Sequence, residues 1–187
     1  IDAGAEYKCY ASDVTRTFPV SGTFTDPQRA IYEVVLRAQK AAMDVVKPGV
    51  PVDSVHKASL NALVDGLIDL GLIEGPREEA IEDKTYNDFF MHGTSHWLGL
   101  DVHDCGSYAN DGESRDLEPG MVLTVEPGLY VDPNNLNVDA EWRGISVRIE
   151  DNILVTESGH ENLTAAIPKS VEAVEAACQA NLQGLPA

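Results

Sequence analysis

Carboxylates set in apolar, strand-like company constrain this fold more than any other feature of the sequence. Asp13 opens the β-branched alternating run Val14-Thr15-Arg16-Thr17-Phe18, which ends at Pro19. Glu126 closes Val122-Leu123-Thr124-Val125 and meets Pro127-Gly128. Glu150 closes Ile145-Ser146-Val147-Arg148-Ile149. The period of two there puts Ile145, Val147 and Ile149 on one side, and Ser146, Arg148 and Glu150 on the other. Asp2 lies between Ile1 and Ala3-Gly4. For any one of these acids a solvated strand end is the ordinary reading. Gathered in a core, the four would repel one another and lose their hydration. Only protonation or bound cations relieve that, and two divalent ions neutralise four carboxylates.

The histidines point the same way. Three of the five, His92, His96 and His103, fall within Met91–Asp104, interleaved with glycines and bulky apolar residues. Imidazole binds metals and moves protons near neutral pH. Mostly oxygen ligands with one imidazole suit Mn²⁺, Co²⁺, Fe²⁺ or Zn²⁺, and bridging carboxylates let five side chains hold two ions about 3.5 Å apart. His56 sits in an expected helix and His160 in a glycine-containing turn, and neither is given a role. Trp97 and Trp142 are either pocket walls or packing residues.

Composition excludes other classes. With 31 acidic against 13 basic residues the formal charge is −18, so no basic stripe is available for nucleic acid. No apolar run is long enough to span a membrane. A chain of 187 residues suits one domain with a real core. Cys9, Cys105 and Cys178 form no CxxC pair and read as reduced thiols in a cytoplasmic protein. Cys105 lies two residues from His103, but no electropositive setting marks it as a nucleophile. The opening Ile1-Asp2-Ala3-Gly4 has no signal-peptide pattern and reads as an excised piece beginning inside a strand.

Along the chain, residues 1–20 predict a hairpin turning at Lys8-Cys9-Tyr10. Thr25-Asp26-Pro27-Gln28 is a capping box, followed by the helical face Ile31, Val34, Val35, Ala38 and a stop at Pro48-Gly49. A second helix starts near Asp53, buries Val55, Leu63, Leu67 and Leu70, and ends at Gly71. Residues 74–88 are acidic and irregular, with one short helix. Strands follow at Met121–Val125, Ile145–Glu150 and Ile153–Val155, then a helix from Ser170 through Cys178. Helices followed by strands indicate an α+β domain over 1–178, with 179–187 as a tail.

Five segments in order carry a resemblance: Ile1-Asp2-Ala3-Gly4, Ser12-Asp13-Val14-Thr15-Arg16-Thr17, His92-Gly93-Thr94-Ser95-His96, Glu126-Pro127-Gly128 and Arg148-Ile149-Glu150-Asp151. The set resembles the dinuclear metallopeptidases of the pita-bread family, from Ile1 to about Leu163. Ser95–Asp104 and Glu126-Pro127-Gly128-Leu129-Tyr130 bring it nearest to the family's bacterial Xaa-Pro aminopeptidases. The resemblance implies an antiparallel curved sheet flanked by helices. It implies two divalent ions, Mn²⁺ foremost with Co²⁺, Zn²⁺ and Fe²⁺ as alternatives, and a hydroxide between them. Asp2 resembles the chelating ligand of one metal, Asp13 and Glu150 the bridging carboxylates, and His96 and Glu126 the ligands of the second. Glu126 also matches the proton-carrying glutamate, and His92 and His103 match histidines facing the scissile carbonyl. Arg148 would fix metal ligands or Tyr130. The implied partner is a peptide with proline at the second position, the longer protein being a homo-oligomer.

The family also carries a separate N-terminal domain and more of the catalytic domain ahead of the first ligand, including a further active-site histidine. The resemblance therefore implies a domain incomplete at its N-terminus. A Xaa-Pro dipeptidase (prolidase) of the same fold, a catalytically incompetent fragment, and a metal-free binding module remain open. Methionine aminopeptidase fits less well, because its histidine motif lacks the long Trp97–Asp104 continuation.

Overall fold

The computed structural model describes residues 1–182 of the chain. Strands β1 (Asp2–Ala3), β2 (Glu6–Tyr7), β3 (Tyr10–Ala11) and β4 (Val14–Thr15) nest as a hairpin. β2 pairs with β3 and β1 with β4, Asp2 lying opposite Thr15. Lys8 and Cys9 take positive φ of 53° and 70°, the backbone twist a two-residue hairpin turn requires. Gly4 is obligatory here, since a Cβ on it would fall 1.6 Å from the Ser12 carbonyl oxygen. The run expected to stay extended to Phe18 forms a strand over Val14–Thr15, and Arg16 still exchanges backbone bonds of 3.0 Å with Ile1. The side chains of Arg16 and Thr17 bond to the segment around Glu150, and Pro19 has no N–H to offer.

The capping box forms: Gln28 Oε1 accepts the Thr25 N–H at 3.0 Å, and helix α1 (Asp26–Asp44) follows with Pro27 in its first turn. Its buried stripe includes Ile31, Val34, Val35 and Ala38. Helix α2 (Asp53–Asp69) buries Val55, Leu60, Leu63 and Leu67, while Leu70 is only partly covered. Each fully buried Leu or Ile contributes about 1.5–3 kcal/mol. Gly66 lets the two helices meet, because a Cβ there would lie 2.3 Å from Val34 Cγ1. Helix α3 (Arg77–Glu82) and a 3₁₀ turn at Thr85–Asp88 fill the acidic connection.

The second half is built from β5 (Ala109–Asn110), β6 (Glu113–Ser114), β7 (Val122–Val125), β8 (Gly128–Tyr130), β9 (Ser146–Arg148), β10 (Asp151–Val155) and β11 (His160–Asn162). β10 lies between β7 and β11, and β8 pairs with β9, all antiparallel. The expected sheet is therefore a series of short ladders. Irregular segments carry the hydrogen bonding across the gaps: Thr124 N–H donates to His96 O, Glu126 N–H to Thr94 O and Glu150 N–H to Thr15 O. One apolar cluster packs α1 and α2 against Leu129, Val147 and Ile149. A second gathers Trp97, Leu123, Val125 and Ile153 beside the C-terminal end of α1.

Helix α4 runs Val171–Leu182, so the expected end at Cys178 is corrected by four residues. Gln179, Ala180 and Leu182 are good helix formers and nothing at Cys178 interrupts them. The remainder of the expected tail, 183–187, lies outside the described residues. No helix among the described residues is long and apolar enough to cross a membrane.

Candidate metal centre

Distant segments deliver one cluster. Asp13 immediately precedes β4, His96 sits on the segment that bonds along β7, Glu126 follows β7, and Glu150 lies between β9 and β10. His96 Nε2 is 3.5 Å from Asp13 Oδ2 and 3.3 Å from Glu126 Oε1. Ligating atoms of Asp13, His96 and Glu150 lie within 4.8 Å of one another. Asp2 lines the same cleft as Asp13. Asp2 departs from the expectation of a core acid: it is on an edge strand with its side chain 51% exposed. Glu150, at 2% exposure, is the one of the four that is buried outright.

The hydrogen bonding leaves this cluster short of positive charge. His96 Nδ1 lies 3.0 Å from the Trp97 carbonyl oxygen, which can only accept, so Nδ1 carries the proton. Nε2 is thereby turned toward the oxygens of Asp13 and Glu126. Metal-bound histidines are typically held this way, their other N–H donated to a carbonyl. Glu150 Oε2 accepts from Thr15 Oγ1 at 2.7 Å, but Oε1 is buried with no partner. Burial pushes Glu126 up to about 7; Arg148 opposes that and the Asp13 charge adds to it. Burial also pushes Glu150 up to about 7, against the Thr15 bond and with the charges of Glu126 and Asp13. Asp13 is raised by burial and by Asp2. Three carboxyls raised by burial, an imidazole nitrogen turned toward them and an orphaned oxygen fit divalent cations.

Around the cluster, His92 Nδ1 is 2.7 Å from the Gly93 carbonyl oxygen and Nε2 is 2.7 Å from the Tyr130 hydroxyl. Nδ1 thus donates and Nε2 accepts, leaving His92 no free N–H. Burial holds His92 below the usual imidazole range, against the Gly93 bond and helped by Arg148. Arg148 donates to Asp2 Oδ2, to Thr15 Oγ1 at 3.2 Å and to the Tyr130 hydroxyl at 3.5 Å. The His103 ring stands edge-on to His96, centroids 4.4 Å apart. It is exposed and lines an open cleft of about 610 Å³ with Asp2, Asp13, Leu100 and Val102. His56 and His160 are elsewhere, bonded to Thr94 Oγ1 and the Val46 carbonyl. Trp97 stacks on Tyr108 and Trp142 packs on the helical core, so both are packing residues.

Sequence reasoning missed the uncharged supports. Thr15 holds Glu150, and Thr124 Oγ1 both accepts the His96 N–H at 3.1 Å and donates to Glu126 Oε1 at 3.4 Å. Each stands two residues from a cluster carboxylate, Asp13 or Glu126, and so shares its strand face. That spacing was the available signal.

Residues 1–157 match metallopeptidase family M24, and the chain belongs to that family. Among curated proteins it is 52% identical over 176 residues to the Xaa-Pro aminopeptidase of Escherichia coli, covering 94% of this chain and 40% of that protein. Among solved structures it resembles Pseudomonas aeruginosa aminopeptidase PepP with a TM-score of 0.96 at 50% identity, covering 97% of this chain and 41% of the other. A zinc-substituted Escherichia coli aminopeptidase P in complex with product gives 0.91 at 51% identity, covering 96% and 40%. The fold is that of aminopeptidase P, the pita-bread fold, and the chain spans about 40% of the length of these relatives.

Proposed function

We propose that this chain is the catalytic part of an aminopeptidase that hydrolyses the Xaa-Pro bond at the N-terminus of a peptide. Asp2, Asp13, His96, Glu126 and Glu150 would hold two divalent ions, Mn²⁺ first among Mn²⁺, Co²⁺, Zn²⁺ and Fe²⁺. The observation that carries this reading is the convergence of His96 Nε2 on two carboxylates, at 3.5 and 3.3 Å, beside the unpartnered Glu150 Oε1. Bound ions supply Lewis acidity, which acidifies water and polarises a carbonyl.

The chain's own residues do the rest. Proline has no N–H, and its tertiary amide nitrogen leaves only once protonated. Glu126 is the group we assign to take a proton from water and return it to that nitrogen. His103, open to the cleft, donates to the developing oxyanion. His92 steadies the Tyr130 hydroxyl beside it. Arg148 fixes Asp2 and Thr15 by charge-assisted bonds. Leu100 and Val102 give the cleft an apolar wall suited to a proline ring. The choice of proline rests on the relatives, which are named for it. We read the longer protein as a cytoplasmic homo-oligomer; the three unpaired thiols suit a reducing compartment.

Hydrolysis of Xaa-Pro-Yaa peptides and Xaa-Pro dipeptides with added Mn²⁺ tests the proposal, using this chain and a version extended by the upstream residues of its relatives. Preferential cleavage of the longer peptides is expected. Preference for dipeptides would reassign it as a prolidase, and no cleavage by either version would overturn it. The exposure of Asp2 favours a second outcome for the chain alone: metal binding with slow turnover.

A further inference from the structure

Opposite each other in the β7–β10 register stand two uncharged polar residues, Thr124 and Asn152, in strands that are apolar apart from them and Asp151. They are 0% and 2% exposed. Thr124 is tied to His96 and Glu126. The Asn152 amide reaches the other way, across 139 residues of sequence, to the backbone of Asp13. Its Oδ1 accepts the Asp13 N–H at 3.1 Å and its Nδ2 donates to the Asp13 carbonyl oxygen. The side chain thus copies what a neighbouring strand would give Asp13, both a donor and an acceptor, where β4 has not yet begun.

Asn152 is itself immobilised. Its carbonyl accepts the Leu163 N–H at 2.9 Å and its N–H donates to Thr164 Oγ1 at 3.1 Å. Thr164 in turn donates to the fully buried Asp151. With its main chain spent on β11's continuation, the amide of Asn152 has one rotameric task. On the opposite side Glu150 N–H donates to Thr15 O and Thr15 Oγ1 to Glu150 Oε2. Asp13 is therefore held through its backbone by Asn152, and Glu150 through both its N–H and its carboxylate by Thr15.

We propose that Asn152 is a positioning residue for the metal centre: its amide fixes the Asp13 backbone so that the Asp13 carboxylate faces His96 and Glu150. This rests on the metal reading above. Residues that orient ligands from behind typically govern affinity by about 10- to 100-fold. Hydrogen bonds to a ligand's backbone, in place of its free oxygen, act by the same restraint.

Isothermal titration of Mn²⁺ into the chelator-stripped chain, as wild type, Asn152→Leu and Asn152→Thr, tests this, with circular dichroism and melting in chelator alongside. Leucine removes both bonds; threonine suits a strand and keeps the fold measurable if leucine does not. Expected is Mn²⁺ affinity in at least one site weakened about 10- to 100-fold in each folded variant. Both variants binding Mn²⁺ like wild type, with only the chelated melting temperature lowered, would make Asn152 a structural residue and overturn the inference. Wild type binding no Mn²⁺ would instead remove the metal reading and this inference with it.

Discussion

At the scale of single residues the acids that matter announce themselves by where they sit. Asp13, Glu126 and Glu150 terminate or open apolar runs, and the structure brings all three to one imidazole. Glu150→Gln keeps the Thr15 bond within reach but removes the charge, so equilibrium dialysis against Mn²⁺ is expected to find at least one ion fewer per chain. Unchanged stoichiometry would exclude Glu150 as a ligand. His103→Ala removes an exposed ring that bears no weight in the core. It is expected to leave metal content intact and to lower kcat by about 10²–10³, the usual cost of one oxyanion donor. A kcat within twofold of wild type would take His103 out of the reaction. Thr15 and Thr124 share a strand face with a carboxylate, but that signal is weak and Asn152 has none, because uncharged polar residues in strands are common and only their partners make them special.

At the scale of elements, periodicity recovered α1 and α2 with their buried faces, and the alternation of Ile145–Glu150 put Arg148 and Glu150 on a common side. What it could not reveal is how the short ladders are fastened. Asp151, which reads as one more acid at a strand end, is fully buried. It pairs with Arg16, Lys169, Thr164 and Gln39, tying β10 to β4, to α1 and to the segment before α4. Burial alone would raise its carboxyl; the bonds from Lys169, Arg16 and Thr164 overcome that and hold it below the usual range. These partners lie up to 135 residues away, so no local pattern predicts them. Lys169→Met strips one of two cations from a buried acid and is expected to cost about 1.5–3 kcal/mol in urea unfolding, the range for a hydrogen bond to a charged group. A loss under about 0.5 kcal/mol, ordinary for an exposed pair, would show that Arg16 alone suffices.

At the scale of the whole molecule the net charge of −18 is mostly solvated surface, and the telling charge is the small part turned inward. Glu126 and Glu150 hold protons up to about 7 without metal, against an ordinary value of 4.5. A carboxyl whose folded value is raised gives its full stabilisation below the unfolded value and loses it as pH rises through the folded one. The chelated chain is therefore expected to melt roughly 5–10 °C lower at pH 8 than at pH 5, and Mn²⁺ to remove most of that fall. A flat profile unaffected by Mn²⁺ would mean that the acids titrate independently. Anomalous scattering from crystals of this chain grown with Mn²⁺ decides whether these acids share two ions. Two peaks are expected among Asp2, Asp13, His96, Glu126 and Glu150; no peak there, with Mn²⁺ found only on surface acids, would rule out a shared metal centre.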